Sequence, residues 1–277
     1  MVGFEHYLDE LQRQGRLLRD SARRSTLGAG VPSCPGWNVA RLLGHVTKVH
    51  HWATAILRGG RPEGFQFATP EDGELFEVYD AGLRGLLGQL RATPDRAVVW
   101  TMWPAPSGKL FWARRLAHET AIHRVDAQLA AGFGVQDFEP EFAVDGIEEL
   151  LTTSAARFDR SRLPGDRTIS LTPLDSNACW TLAVGPQLLS CRPVALDDAD
   201  LSVFGLASDL YRWVWNRADD DEVAVRGDLT LADQWRQNFR IEARRGPAPA
   251  QPEDSQPEDR RPEDSQPEDR RPQDPPS

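Results

Sequence analysis

The chain has 277 residues and a net charge of −10. Residues 247–277 carry half of that excess, so the body is only mildly acidic, which argues against a nucleic-acid surface built on positive charge. No run approaches the roughly 20 apolar residues of a membrane helix, and three scattered cysteines (Cys34, Cys179, Cys191) make neither a CxxC site nor a disulfide framework.

The first residues, MVGFEHYLDELQRQGRLLRD, mix both signs of charge in an amphipathic pattern. That is unlike a signal or transit peptide, and the expected compartment is the cytoplasm. A first helix is expected over 3–24, followed by a loop, LGAGVPSCPGW (27–37), closed by Pro and Gly. Asn38 reads as the N-cap of a second helix. Its stripe runs Val39, Leu42, Leu43, Val46, Val49, Ala53, Ile56 and Leu57 and ends at Gly59-Gly60. A third helix is expected at about 70–92 and a fourth at about 109–131, separated by the irregular, tryptophan-containing stretch 97–108. Four helices of this length suggest an antiparallel bundle.

A helix at 139–157 leads to a change of character. TISLTPL (168–174) and CWTLAV (179–184), with Asp175-Ser176-Asn177 between them, read as a hairpin. Further strands at 199–204 and 222–226 alternate with helices at about 206–217 and 229–240. The expected fold class is α+β: a helical bundle over 1–160, then a small α+β domain over 161–243. The remainder, 244–277, contains PEDSQPEDRR twice without change and is expected to be disordered, since it has almost nothing apolar to bury.

The fourth helix carries the chemistry. Trp112, Leu116, Glu119, His123, Asp126 and Ala130 share one face, so a carboxylate and an imidazole lie on a stripe bounded by core residues. At i and i+4, Glu119 and His123 can present oxygen and nitrogen to one point, as the paired ligands of bundle metal sites do. His45 lies at the edge of the second helix's apolar stripe, about 80° from its centre. His118, His50 and His51 point away from those positions. Asp126 is either an acceptor that orients His123 or an ordinary helix-face acid. Trp37 reads as a packing residue.

These segments resemble a known family. CPGWNVARLLGHVTKVHHWA (34–53) and RRLAHETAIHRVDAQLA (114–130) are similar to the second- and fourth-helix signatures of the mycothiol-dependent maleylpyruvate isomerase family, part of the DinB-like bundle superfamily. FGLASDLYRWVWNR (204–217), followed by VRGD (225–228), resembles that family's second domain. The resemblance implies that His45, Glu119 and His123 bind zinc or another divalent metal, leaving a position open for water or a thiol. It implies mycothiol as thiol co-substrate and a small anionic or electrophilic substrate, with no nucleic acid or membrane partner. The implied reaction is thiolate addition to a cis double bond, rotation, and elimination to the trans alkene. Arg217 matches the second domain's arginine and is carried over as the catalytic candidate for substrate or thiol contact; its plainer reading is a helix C-terminal cation. Two alternatives stay open: a mycothiol S-transferase that conjugates the thiol to an electrophile, and a non-catalytic, zinc-stabilised binding protein.

Overall fold

In a computed structural model of the chain, residues 2–153, 166–184 and 189–238 are described. The expected end of the 139–157 helix, most of the expected domain junction and the whole repeat tail lie outside them.

Four helices open the chain: α1 (Phe4–Arg23), α2 (Val39–Leu57), α3 (Leu75–Ala92) and α4 (Gly108–Ala130). Asn38 caps α2 as its sequence position suggests, its side chain accepting from Arg41 N at 2.9 Å. Helix α3 starts later than the expected residue 70, because Glu74 N bonds back to Glu71 O in a turn that includes Gly73.

The bundle is not antiparallel throughout. Contacts between α1 and α4 ascend together, with Tyr7 against His118 and Gln14 bonded to Arg124. So do those between α2 and α3, where His50 meets Tyr79 and Arg58 meets Gln89. Contacts between α1 and α3 descend, from Tyr79 on Gly15 to Arg23 over Phe76. Those between α2 and α4 descend as well, from His45 beside Glu119 to Trp52 beside Trp112. Helices α1 and α4 therefore run one way, and α2 and α3 the other. The long segment from Arg58 to Glu74 makes this possible, because it returns the chain to the end where α2 began.

Helix α4 is the central element. From Phe111 to Gln128 almost every residue is buried, polar ones included, because partners cover it on every side. Its polar residues must therefore pair with one another or with neighbours.

Helix α5 (Pro140–Thr153) precedes a five-stranded sheet of β1 (Arg167–Pro173), β2 (Trp180–Val184), β3 (Leu189–Arg192), β4 (Leu201–Gly205) and β5 (Ala224–Gly227). Its order is β3-β2-β1-β4-β5, with only the central β1–β4 pair parallel. The expected hairpin is β1–β2, in register Leu171↔Trp180. Strand β3, only four residues long, has no counterpart among the expected strands.

Two further helices, α6 (Ala207–Val214) and α7 (Leu229–Asn238), complete the described fold. Asp175 of the hairpin turn accepts from Ala207 N at 2.8 Å, anchoring the start of α6. That helix ends before the expected residue 217. Asn216 adopts φ 58°, and Arg217 N bonds back to Arg212 O at 2.8 Å, the left-handed turn that closes many helices.

The described helical and sheet-containing residues all fall within one compact unit. At their joint, buried His118 of α4 shares hydrogen bonds with Asp145 of α5 (2.8 Å) and Tyr211 of α6 (2.9 Å). Tyr7 and Arg114 add bonds to Asp145. Any side chain at Gly146 would run into Tyr211 and His118. No helix among the described residues is long and apolar enough to cross a membrane.

Candidate metal centre

The loop between α1 and α2 brings the first site residues into place. Pro35 and Gly36 (φ 79°) form the corner of a turn, with Trp37 N bonded to Cys34 O at 2.9 Å. Val31 N bonds to Trp37 O and Val39 N to Ala29 O, so the loop is stapled to itself just ahead of α2. This sets Ser33, Cys34 and Trp37 against α4.

His45 of α2 then meets Glu119 and His123 of α4. His45 Nε2 and His123 Nε2 each lie 3.3 Å from the same oxygen, Glu119 Oε1. One ligand atom from each residue falls within 4.8 Å of the others, an arrangement that could hold a metal ion. The spacing of 3.3 Å is longer than a good charge-assisted hydrogen bond, about 2.7–2.9 Å. Side-chain exposure is graded across the three: 35% for His45, 25% for Glu119 and 4% for His123. The cluster is thus open on the side of His45 and closed behind His123.

What closes it is a second layer. His123 Nδ1 bonds to Asp126 Oδ2 at 2.8 Å, which directs Nε2 toward Glu119. Asp126 is fully buried and accepts from Arg217 Nε at 2.9 Å and Nη2 at 3.0 Å. Ser33 Oγ and Cys34 Sγ also donate to it. Burial alone would raise the Asp126 pKa, but Arg217 and His123 hold it well below the usual range. Burial pulls the His123 imidazolium down, yet its bonds to Asp126 and Glu119 outweigh this and raise it to about 9. Glu119 is likewise held well below the ordinary carboxylate range: burial opposes this, and His123, His45 and Arg115 overcome it.

Trp37 is a packing residue, and what it packs on is the site. Its ring stacks on His123 (6.2 Å, 16°) and meets His45 edge-on (5.0 Å, 61°). Arg41 lies over the same ring, with its guanidinium 5.1 Å from the ring centre.

One expectation needs correction. Arg217 does not face the open side of the cluster. Its Nε and Nη2 are spent on Asp126, its Nη1 donates to Trp215 O at 2.7 Å, and its side chain is 1% exposed. The left-handed turn at Asn216 swings it behind His123 instead of toward a ligand. Arg115, four residues before Glu119 on α4, also reaches the site. Its Nη2 lies 3.2 Å from Glu119 Oε2, since residues four apart are neighbours along a helix and arginine is long. The i, i+4 spacing of Arg115 and Glu119 was a usable signal. Nothing in sequence announced Glu149 of α5, which pairs with Arg115 from the other side. The remaining histidines stay apart: His50 bonds to Thr120 at 3.0 Å, and His51 lies against Phe67.

Residues 8–128 match the mycothiol maleylpyruvate isomerase N-terminal domain, and residues 141–234 match the MDMPI C-terminal domain. The chain belongs to the mycothiol-dependent maleylpyruvate isomerase family. Within the family's division, α5 falls in the C-terminal match, on the same side as its partner α6. A crystal structure of the mycothiol-dependent maleylpyruvate isomerase is similar at 14% identity and a TM-score of 0.57, over 81% of this chain and 93% of that one. A structure of a histidine-to-alanine mutant of the mycothiol-dependent maleylpyruvate isomerase aligns over the same shares at 15% identity and a TM-score of 0.56. At these identities the likeness speaks for the fold. No curated protein matches the chain.

Proposed function

We propose that this chain is a zinc- and mycothiol-dependent isomerase acting on maleylpyruvate or a closely related cis-alkene dicarboxylate, with His45 Nε2, Glu119 Oε1 and His123 Nε2 as the metal ligands. The observation that carries the metal assignment is the pair of equal 3.3 Å spacings about Glu119 Oε1. A tetrahedral ion with bonds of about 2.0–2.2 Å separates its ligands by about 1.63 times the bond length, or roughly 3.3–3.6 Å. Two imidazoles and one carboxylate are also the donor set of known three-ligand catalytic zinc sites.

Zinc held there would supply the positive charge that favours the thiolate of a small thiol over the thiol. The chain's own residues prepare the place for it. Asp126 holds a proton on His123 Nδ1, so Nε2 is the nitrogen that would give up its proton and face the ion. Arg217 acts through Asp126 as a positioning residue. Trp37 walls the cluster on one side, leaving the opening beside His45.

An anionic substrate needs cations at that opening. Arg41 and Lys48 are exposed and lie four residues before and three after His45, on the same face of α2. They are the proposed carboxylate contacts in place of Arg217. The test is to incubate zinc-loaded protein with maleylpyruvate and a generic electrophile, with and without mycothiol. Thiol-dependent conversion at unchanged mass supports the isomerase reading. A stable thioether as the product makes the protein an S-transferase, and turnover indifferent to thiol overturns both.

A further inference from the structure

Glu119 offers two oxygens, and the structure uses them differently. Oε1 faces both histidine nitrogens, while Oε2 accepts from Arg115 Nη2 at 3.2 Å. Arg115 is itself held on three sides. Its Nη1 pairs with Glu149 of α5, its side chain is only 8% exposed, and its guanidinium lies 5.6 Å from the Trp215 ring centre. Glu149 is 3% exposed, so the pair is fixed inside the protein. Burial works against the Arg115 charge, and Glu149 and Glu119 more than restore it.

We propose that Arg115, locked by Glu149, is a positioning residue that keeps Glu119 a one-oxygen ligand and thereby preserves the open coordination position on which thiol binding depends. This rests on the metal assignment above. The reasoning is a count of donors. Two imidazoles and one carboxylate oxygen make three, leaving a tetrahedral ion one vacancy. A carboxylate free to swing would bring a second oxygen, complete the shell at four, and leave a thiol to compete with an intramolecular donor. The arginine fork prevents this because it is planar and anchored at both ends, by Glu149 on Nη1 and Glu119 on Nη2. The C-terminal match supplies the anchors, since Glu149 and Trp215 both lie within it. The second domain thus reaches the metal ligands by two routes, Arg217 through Asp126 to His123 and Glu149 through Arg115 to Glu119.

The experiment replaces the metal with cobalt(II), whose visible bands weaken as coordination rises above four, and uses 2-mercaptoethanol as the thiol probe. Wild type should show strong visible bands and gain a near-ultraviolet thiolate-to-cobalt band on titration. Arg115→Met/Glu149→Gln removes the fork without leaving a buried unpaired charge. It should take up cobalt yet need about 10-fold or more thiol for the same band, the usual scale for loss of an outer-shell partner. Arg115→Lys retains a partner for Glu149 should the double variant fold poorly, and it should shift the titration in the same direction because lysine lacks the fork. Glu149→Gln alone, which leaves Arg115 a neutral acceptor, should shift it least. Titrations identical to wild type in cobalt-loaded Arg115 variants would overturn the proposal while leaving the metal assignment standing. A wild-type protein that takes up no cobalt or zinc would overturn the metal assignment and this proposal with it.

Discussion

Asp126 and Arg217 lie 91 positions apart and form a two-point ion pair, 2.9 and 3.0 Å, sealed behind His123. Truncating one member of such a pair leaves the other charged and buried. Arg217→Ala should therefore cost about 3–5 kcal/mol of stability. It should also weaken zinc binding about 10- to 100-fold by loosening His123. Thermal unfolding and zinc titration check this. An Arg217→Ala protein with wild-type stability and zinc affinity but no turnover would return the arginine to a direct role with substrate.

The proposed ligand set predicts how metal content divides among variants. His45→Ala, Glu119→Ala and His123→Ala should each lose most of the zinc. His118→Ala should keep it while unfolding more easily, since His118 serves the α4–α5–α6 joint. Elemental analysis beside denaturant melts separates the two behaviours. Full zinc in all three ligand variants would remove the site.

His50 predicts a pH dependence of stability. It is wholly buried, and desolvation pushes its pKa down to about 3. Above about pH 6.5 the residue is neutral folded or unfolded and contributes nothing to the slope. As pH falls below that value only the unfolded chain takes up the proton, so stability is lost progressively down to about pH 3. Between pH 7.5 and 5.0 the loss from this residue is about 2 kcal/mol. His50→Gln should lose correspondingly less than wild type over that interval in urea melts. Parallel pH profiles would show that His50 does not titrate as its burial requires.

Arg41 and Lys48 should be read in kinetics. Losing one charge-assisted contact of about 1.4 kcal/mol raises KM roughly tenfold. Arg41→Gln and Lys48→Gln should do so for a dicarboxylate with little change in kcat, fold or zinc content. Unchanged KM in both would leave substrate recognition to other groups.

Cys34 should be chemically quiet. Burial, then the negative charge of Asp126, pushes its thiol pKa up to about 12. In folded protein at pH 8, iodoacetamide should modify half-buried Cys179 well before Cys34, and all three cysteines only after denaturation. Peptide mapping that finds Cys34 labelled first would mean the cage around Asp126 opens.

Much of this protein is local and therefore readable along the chain. The period of α2, its Asn38 cap, the β1–β2 hairpin and the shared face of Glu119, His123 and Asp126 follow from 3.6- and 2-residue repeats and side-chain chemistry. His45 could be nominated because it borders an apolar stripe, and the family signatures at 34–53 and 114–130 joined it to the other two. Nothing local tells which helices run parallel, since that depends on where a long connection such as 58–74 returns the chain. Nor does a helical wheel show how far an arginine reaches, and Arg115 touches Glu119 from beside the stripe that carries it. Arg217 shows the same limit from the other direction. Its place in a motif marked it as important, while a left-handed turn at Asn216 and a buried carboxylate from another part of the chain decided what it touches. Secondary structure rests on neighbours in sequence. The partners of a buried charge are chosen by packing, where only neighbours in space can repay the loss of water.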